Sequence, residues 1–320
     1  MSRTWLLVKT SSLGDVVHAS YAVSDLADAG IEVDWVLEQD YAPLVRSCRG
    51  VRRALGVDWR RALRRPLSGA PGRALAELSA ELQPPYECVL DAQGLLKSAW
   101  LTLHLAGRSG APSVGMDAAS ARERLAGLLY QSGIAAPRGE HAVVRLRRLF
   151  AAARGEAAPD TEPVSGLHRK STPTASDGRI WLLHGASRTE KTLGAGRWRQ
   201  LALKLYGMGL DTAVSWGSPA ERQVAQALPE HVEVIPKCSL DALAERLKSA
   251  RGFVGVDSGL AHLAAALGVP GVTLYPASDA QLTGTLGAGQ RRIDAHTINR
   301  LGSAELGDLI GRSLMQVLPG

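Results

Sequence analysis

Short apolar runs, each closed by a small polar turn and followed by a helical pattern, recur along this chain and point to a parallel α/β architecture. Thr4–Lys9 (TWLLVK) reads as a buried strand, followed by a polar loop and a helix from about Val16 to Ala29. Val33–Leu37 and Glu87–Ala92 read as further strands, and Leu95–Ala106 and Ala119–Tyr130 show helical spacing. After residue 178 the alternation restarts. Strands are expected at Arg179–His184, Thr212–Trp216, Val232–Ile235, Phe253–Asp257 and Val272–Tyr275. Helices are expected at Gly196–Tyr206, Pro219–Leu228, Leu240–Ser249, Leu260–Leu267 and, at the end, Ala304–Val317. Alternating strand and helix is the pattern of a doubly wound sheet.

At 320 residues the chain is too long for one ordinary core and suits two domains. Gly155–Gly178 holds three prolines, several Ser/Thr and no apolar period, so it reads as a connection. The expected division is a Rossmann-like domain at 1–160, a linker at 161–178 and a second Rossmann-like domain at 179–320. The terminal helix is free to return to the first domain. Two such domains facing across a cleft would bind ligands outside the carboxyl ends of their strands.

The net charge of +6 is unevenly spread: Arg46 to Arg73 holds nine arginines and one acid, Asp58. Such a stretch fits an anionic partner or a solvated basic face. Aromatic residues are 5%, too few for a protein that stacks single-stranded bases, so no nucleic acid is expected. Cys48, Cys88 and Cys238 lack metal-ligand or disulfide-framework spacing, which fits a reducing compartment. The opening TWLLVK is too short for a signal core, and no apolar run reaches the roughly 18 residues of a membrane span. Neither GxGxxG nor GxxxxGK[ST] occurs where a nucleotide fingerprint would need it, which weakens dehydrogenase and P-loop readings.

Four strand ends carry candidate chemistry. Asp257-Ser258-Gly259-Leu260-Ala261-His262 runs from a buried strand into a helix. The first N–H groups of a helix lack intrahelical partners and its dipole is positive there, so this turn can seat a phosphate or be an ordinary cap. His184–Lys191 brings Ser187, Arg188 and Lys191 to one loop, where cations could neutralise a departing diphosphate or stand solvated. In Trp216-Gly217-Ser218-Pro219-Ala220-Glu221 a carboxylate opens a helix, suited to ribose hydroxyls or to the dipole alone. In the first half, Lys9-Thr10-Ser11-Ser12-Leu13-Gly14-Asp15 ends on an aspartate. With a free pKa of about 3.9 it is ionised at neutral pH and able to accept a proton, or it serves the helix end.

These segments, with Val16-Val17-His18, Asp91-Ala92-Gln93-Gly94-Leu95-Leu96-Lys97-Ser98, Gly115-Met116-Asp117 and Ile235-Pro236-Lys237-Cys238-Ser239-Leu240, occur in the order found in one family. The chain resembles the heptosyltransferase I group of the ADP-heptose:lipopolysaccharide heptosyltransferases, glycosyltransferase family 9. The resemblance implies a GT-B fold and inverting heptose transfer from ADP-heptose to Kdo2-lipid A, without metal or other cofactor. It implies Asp15 as general base and Lys191 as the group that stabilises the leaving phosphates. Ser187, Arg188, Glu221, Cys238, Asp257, Ser258, Gly259, Leu260 and His262 would surround the donor. Lys9, Ser11, Ser12, Arg60, Arg61, Arg64, Lys97 and Arg122 would face the anionic acceptor. A cytoplasmic protein resting peripherally on the anionic inner-membrane surface is implied as well. Cys238, Ser258 and Ala186 depart from the family's usual methionine, threonine and hydroxyl residue. A reading of another class, a basic two-domain binder of anionic lipid or nucleic acid, is carried by the arginine stretch alone.

Overall fold

A computed structural model describes residues 3–64, 69–168 and 177–319. The chain forms two compact units, Met1–Leu167 and His168–Gly320. Each is built on a six-stranded, all-parallel sheet.

In the first unit the strands are β1 (Arg3–Val8), β2 (Ile31–Glu38), β3 (Val51–Val57), β4 (Val89–Asp91), β5 (Ser113–Met116) and β6 (Ser132–Ile134), in the order β3-β2-β1-β4-β5-β6. The helices are α1 (Leu13–Asp28), α2 (Ala42–Val45), α3 (Trp59–Leu63), α4 (Ala70–Ala80), α5 (Leu96–Ser109) and α6 (Ala142–Ala153). In the second unit the strands are β7 (Ile180–Leu183), β8 (Thr212–Val214), β9 (Val232–Val234), β10 (Gly252–Val256), β11 (Gly271–Tyr275) and β12 (Gln290–Asp294). Their order, β9-β8-β7-β10-β11-β12, repeats the first sheet's winding. The second unit's helices are α7 (Ala195–Gly207), α8 (Pro219–Gln226), α9 (Leu240–Lys248), α10 (Gly259–Ala266), α11 (Ala280–Thr283), α12 (Ala295–Arg300) and α13 (Ser303–Met315).

Central strands β1, β7, β10 and β11 are buried on both faces, apart from Arg3 at the end of β1, which is why their sequences lack polar alternation. Edge strand β12 exposes Arg291, Arg292 and Asp294. The winding reverses between β1 and β4 and again between β7 and β10. In open parallel sheets these reversal points leave a crevice at the carboxyl ends of the strands. The loops after β1 and β4, and after β7 and β10, lie at these points, and the loop after β8 carries the Glu221 segment beside them.

The terminal helix α13 packs on α7, β10 and β11, with Leu306, Ile310 and Leu314 in the second unit's core. The expected linker begins as part of the first unit. Ser165 Oγ lies 2.7 Å from Ser20 Oγ, Gly166 bonds Ser20 and Arg49 through its backbone, and Arg147 holds Thr161. Its stretch 169–176 lies outside the described residues. Finally, Ala119–Tyr130 is not a helix. Asp117 takes the N–H of Ser120 at 2.8 Å, and Gly127 lies against the Asp117–Ala118 backbone, so the chain folds back on itself. Only Ala126–Leu128 makes a short 3₁₀ turn.

Candidate active site

At the first reversal point, β1 delivers Lys9, which is buried, with its Nζ 3.0 Å from the Ala92 carbonyl at the end of β4. The same Nζ lies 3.4 Å from Asp15 Oδ1. Thr10 donates twice, through N and Oγ1, to Gln93 Oε1 at 2.9 Å, which ties the loop after β1 to the loop after β4. Asp15 stands in the first turn of α1, and its Oδ2 accepts from Ser12 N (2.9 Å) and Ser12 Oγ (3.0 Å). Burial pushes the Asp15 carboxyl upward. The Lys9 cation, the Ser12 donors and nearby His18 outweigh it and hold the group well below the usual carboxylate range. The side chain remains about a third exposed, so the anion is fixed yet reachable.

Behind this loop lies Asp91, fully buried at the end of β4. It accepts from Gln93 N (2.6 Å), Gly94 N (3.1 Å) and Tyr130 Oη (2.7 Å), and burial raises its pKa. Tyr130 reaches it because its ring lies where a Cβ on Gly115 would sit, only 2.4 Å away. Asp91 thus shapes the loop that carries Gln93, and Gln93 positions Thr10.

The expected acceptor residues divide. Lys9 is an internal strut between Ala92 and Asp15 and does not point outward as a free cation. Ser11 is buried and Ser12 exposed. Arg60 is tethered to Glu38 through its backbone N (3.0 Å) and to Tyr41 Oη (3.1 Å). Arg61, Arg64 and Arg122 are exposed, and Lys97 is partly exposed. The arginine stretch is less free than its sequence suggests. Arg52 and Arg53 both pair with fully buried Asp34, Arg49 pairs with Asp28, and Arg65 lies outside the described residues.

In the second unit the centre is Asp257, at the end of β10 and 4% exposed. Lys191, from the loop after β7, places Nζ 2.5 Å from Oδ2. His262 Nε2, one turn into α10, lies 3.1 Å from Oδ1, and Ser278 Oγ donates to Oδ2. Burial alone would raise the Asp257 pKa; His262, Lys191 and Ser278 together hold it well below the usual range. Ser258 caps α10 by accepting from Ala261 N at 3.3 Å, which leaves the N–H groups of Gly259 and Leu260 at the positive end of the helix. Ser187 and Arg188 are exposed on the same loop as Lys191, with Arg188 3.4 Å from Glu190.

One strand over, Glu221 opens α8. Its Oε2 accepts from Gly217 N (2.6 Å) and Ser218 N (3.3 Å), while Ser218 Oγ accepts from Glu221 N. The carboxylate rests over Gly185, where a Cβ would sit 2.6 Å from Oε1. His184 Nε2 lies 3.0 Å from the Glu221 carbonyl oxygen. Trp216 lies beneath Arg222 (5.1 Å) and Lys237 (5.9 Å), which brings the loop of partly exposed Cys238 beside the ends of β8 and β9.

Sequence reasoning did not single out Gln93, Gly185, His184 or Ser278 for a role of their own. Gln93 lay inside a quoted motif, and Gly185 and His184 in a quoted loop. Ser278 had no local signal, because only the fold brings it to Asp257. Among the described residues no group of three or more His, Cys, Asp or Glu is placed to hold a metal ion. No helix among them is long and apolar enough to cross a membrane.

Comparison with known proteins fits this geometry. The model of glycosyltransferase family 9 (heptosyltransferase) matches residues 76–304. Lipopolysaccharide heptosyltransferase 1 of Pseudomonas aeruginosa is 40% identical over 295 residues, covering 89% of this chain and 82% of that protein. The solved structure of the Escherichia coli heptosyltransferase WaaC with ADP superposes with a TM-score of 0.86 at 33% identity, covering 97% of this chain and 99% of that one. The same enzyme with ADP-2-deoxy-2-fluoro heptose gives 0.84, with the same identity and coverage.

Proposed function

We propose that this chain, which belongs to glycosyltransferase family 9, the heptosyltransferases, transfers L-glycero-D-manno-heptose from ADP-heptose to the first Kdo of Kdo2-lipid A in lipopolysaccharide inner-core synthesis. The observation that carries the reading is the Asp257 cluster: a cation, a helix N-terminus and a carboxylate at one reversal point of a nucleotide-binding type of sheet.

In this reading Lys191 and the Gly259 and Leu260 N–H groups receive the diphosphate, supplying positive charge where it develops as ADP departs. Asp257 keeps Lys191 seated beforehand, so little ordering is left for the binding step. Asp257 also reads heptose hydroxyls, with His262 beside it. Glu221 takes the ribose hydroxyls, and the main chain near Cys238 meets the adenine. Ser187 and Arg188 assist at the phosphates.

Asp15 is the general base. Its depressed pKa makes it a weak base toward a resting hydroxyl. Proton transfer therefore comes late, once the acceptor oxygen has begun to bond the oxocarbenium-like anomeric carbon and its proton has become strongly acidic. The Kdo oxygen gains the anomeric carbon, the bond from that carbon to the ADP oxygen breaks, and Asp15 holds the released proton. Inversion follows from attack on the face opposite ADP. Arg60, Arg61, Arg64, Lys97 and Arg122 attract the acceptor's carboxylates and phosphates, with Ser11 and Ser12 on the loop of the base. A peripheral position on the cytoplasmic face of the inner membrane fits such an acceptor.

The test is purified protein with ADP-heptose and Kdo2-lipid A, read by mass. The expected result is an acceptor heavier by one heptose residue, with stoichiometric ADP. Transfer only to an acceptor that already carries heptose would reassign the step, and ADP release without adduct would refute the transfer.

A further inference from the structure

The leucines of the segment 119–130 are spaced like the apolar stripe of a helix, yet they do not face a core. Leu125 is 61% and Leu128 66% exposed, on the short turn Ala126–Leu128, and Leu129 beside them is also exposed. Leu96 and Trp100, four residues apart on one face of α5, are exposed as well. The two sets are neighbours. Ala99 of α5 packs with Ala126 and Tyr130, and Leu96 N donates to Glu123 Oε2 at 2.6 Å. The exposed side chains thus stand on two elements packed together, and Gly94, Asp91 and Tyr130 anchor the loop from beneath.

The surroundings are basic. Trp100 lies 5.3 Å, ring to ring, from buried Trp59, which opens α3, the helix that carries Arg60 and Arg61 and is followed by Arg64. Lys97 lies between Leu96 and Trp100 in sequence, and Arg122 and Arg124 precede Leu125 on its own loop and are exposed. The acid on that loop, Glu123, already accepts from the Leu96 amide. Exposed leucines and a tryptophan on elements that also carry cations match the chemistry of an anionic bilayer surface, where apolar side chains enter the headgroup boundary and arginines meet lipid phosphates.

We propose that the patch formed by Leu96, Trp100, Leu125, Leu128 and Leu129 docks the first unit onto an anionic lipid bilayer. This deepens the reading above and rests on it for the lipid nature of the acceptor. The leucines enter the acyl boundary while the arginines set the choice of anionic headgroups.

The test is cosedimentation of the full chain with vesicles of phosphatidylcholine and of equimolar phosphatidylcholine and phosphatidylglycerol. The wild type is expected to bind the mixed vesicles, weakly the neutral ones, and less as salt is added. The double variant L125S/L128S should lose about tenfold in partition for each leucine removed from the boundary. Its unfolding temperature should stay close to that of the wild type, because both side chains are mostly in water already. It should also keep its rate of heptose transfer to a deacylated, water-soluble Kdo acceptor. Unchanged partition of the variant, or equal wild-type binding to both vesicle types, overturns the proposal. So does a wild-type dimer that the variant converts to monomer by sedimentation velocity, which would make the patch a self-interface. Partition needs no sugar nucleotide: absent transfer with intact anionic binding removes the reaction, and transfer without binding removes the docking surface.

Discussion

Replacing Asp15 by asparagine keeps the side chain's shape and removes its charge and basicity. The amide oxygen can still accept from Ser12 N and Oγ, now at 2.9 and 3.0 Å, so the start of α1 keeps its cap. Two electrostatic contributions disappear. An anion in a helix's first turn is worth about 0.3–1 kcal/mol. The contact with Lys9 at 3.4 Å involves a carboxylate a third exposed, so it is held to about 1 kcal/mol. Lys9 keeps its bond to Ala92 O, so no bare cation is left buried. The expected loss is therefore about 1–2 kcal/mol, or about 2–8 °C in Tm for a unit of this size. Turnover should fall far more, by about two to four orders of magnitude, equivalent to about 3–5 kcal/mol of barrier. The assay is initial-rate transfer read by mass on protein whose fold is verified by circular dichroism. Calorimetric ADP affinity is the control and should stay within about twofold, because the donor residues lie on the other unit. A rate within about threefold of wild type would remove Asp15 from the chemistry. A parallel loss of ADP affinity would show that the substitution acts through structure.

Lys191→Ala should weaken ADP binding by about 10–100-fold, the effect of one charge-assisted phosphate contact, and unchanged affinity by calorimetry would contradict its role. Gly185→Ala should push the Glu221 carboxylate away from a Cβ that would sit 2.6 Å from Oε1, raising the Kd for ADP-heptose. Gly196→Ala in α7, where a Cβ meets nothing within 4 Å, should leave that Kd unchanged, and equal effects of the two would refute the geometric argument. Asp257 has its pKa lowered from 3.8 by folding, so it contributes stability that is present above that value and lost as pH falls below it. In urea unfolding followed by tryptophan fluorescence, Asp257→Asn should lower stability at neutral pH and make its fall below about pH 4 shallower; an equally steep acid limb would place the coupling elsewhere.

Much of this was legible in the linear chain, and the reasons are physical. Strands such as TWLLVK and FVGV are apolar without alternation because both faces are covered, so composition alone marks them. Each strand-to-helix turn is local, so the Asp15, Glu221 and Asp257–Ser258–Gly259 positions could be placed at helix starts before any contact was known. β3 was hidden, because Arg52 and Arg53 interrupt its apolar pattern and only their pairing with Asp34 of β2 makes that tolerable.

What the sequence determined by itself was the kind of chain this is: unbroken apolar strands alternating with helices of 3.6-residue period, and polar turns at the carboxyl ends of strands. What the tertiary structure decided was the company each residue keeps. Lys9 became a strut between strand ends because β4 brings Ala92 O within 3.0 Å. Ser278 joined Asp257 from 21 residues away, and the leucines after Asp117 turned outward because the chain folds back over Gly127. Periodicity reports only what neighbours along the chain share; electrostatic environment and exposure depend on groups distant in sequence, which only folding brings together.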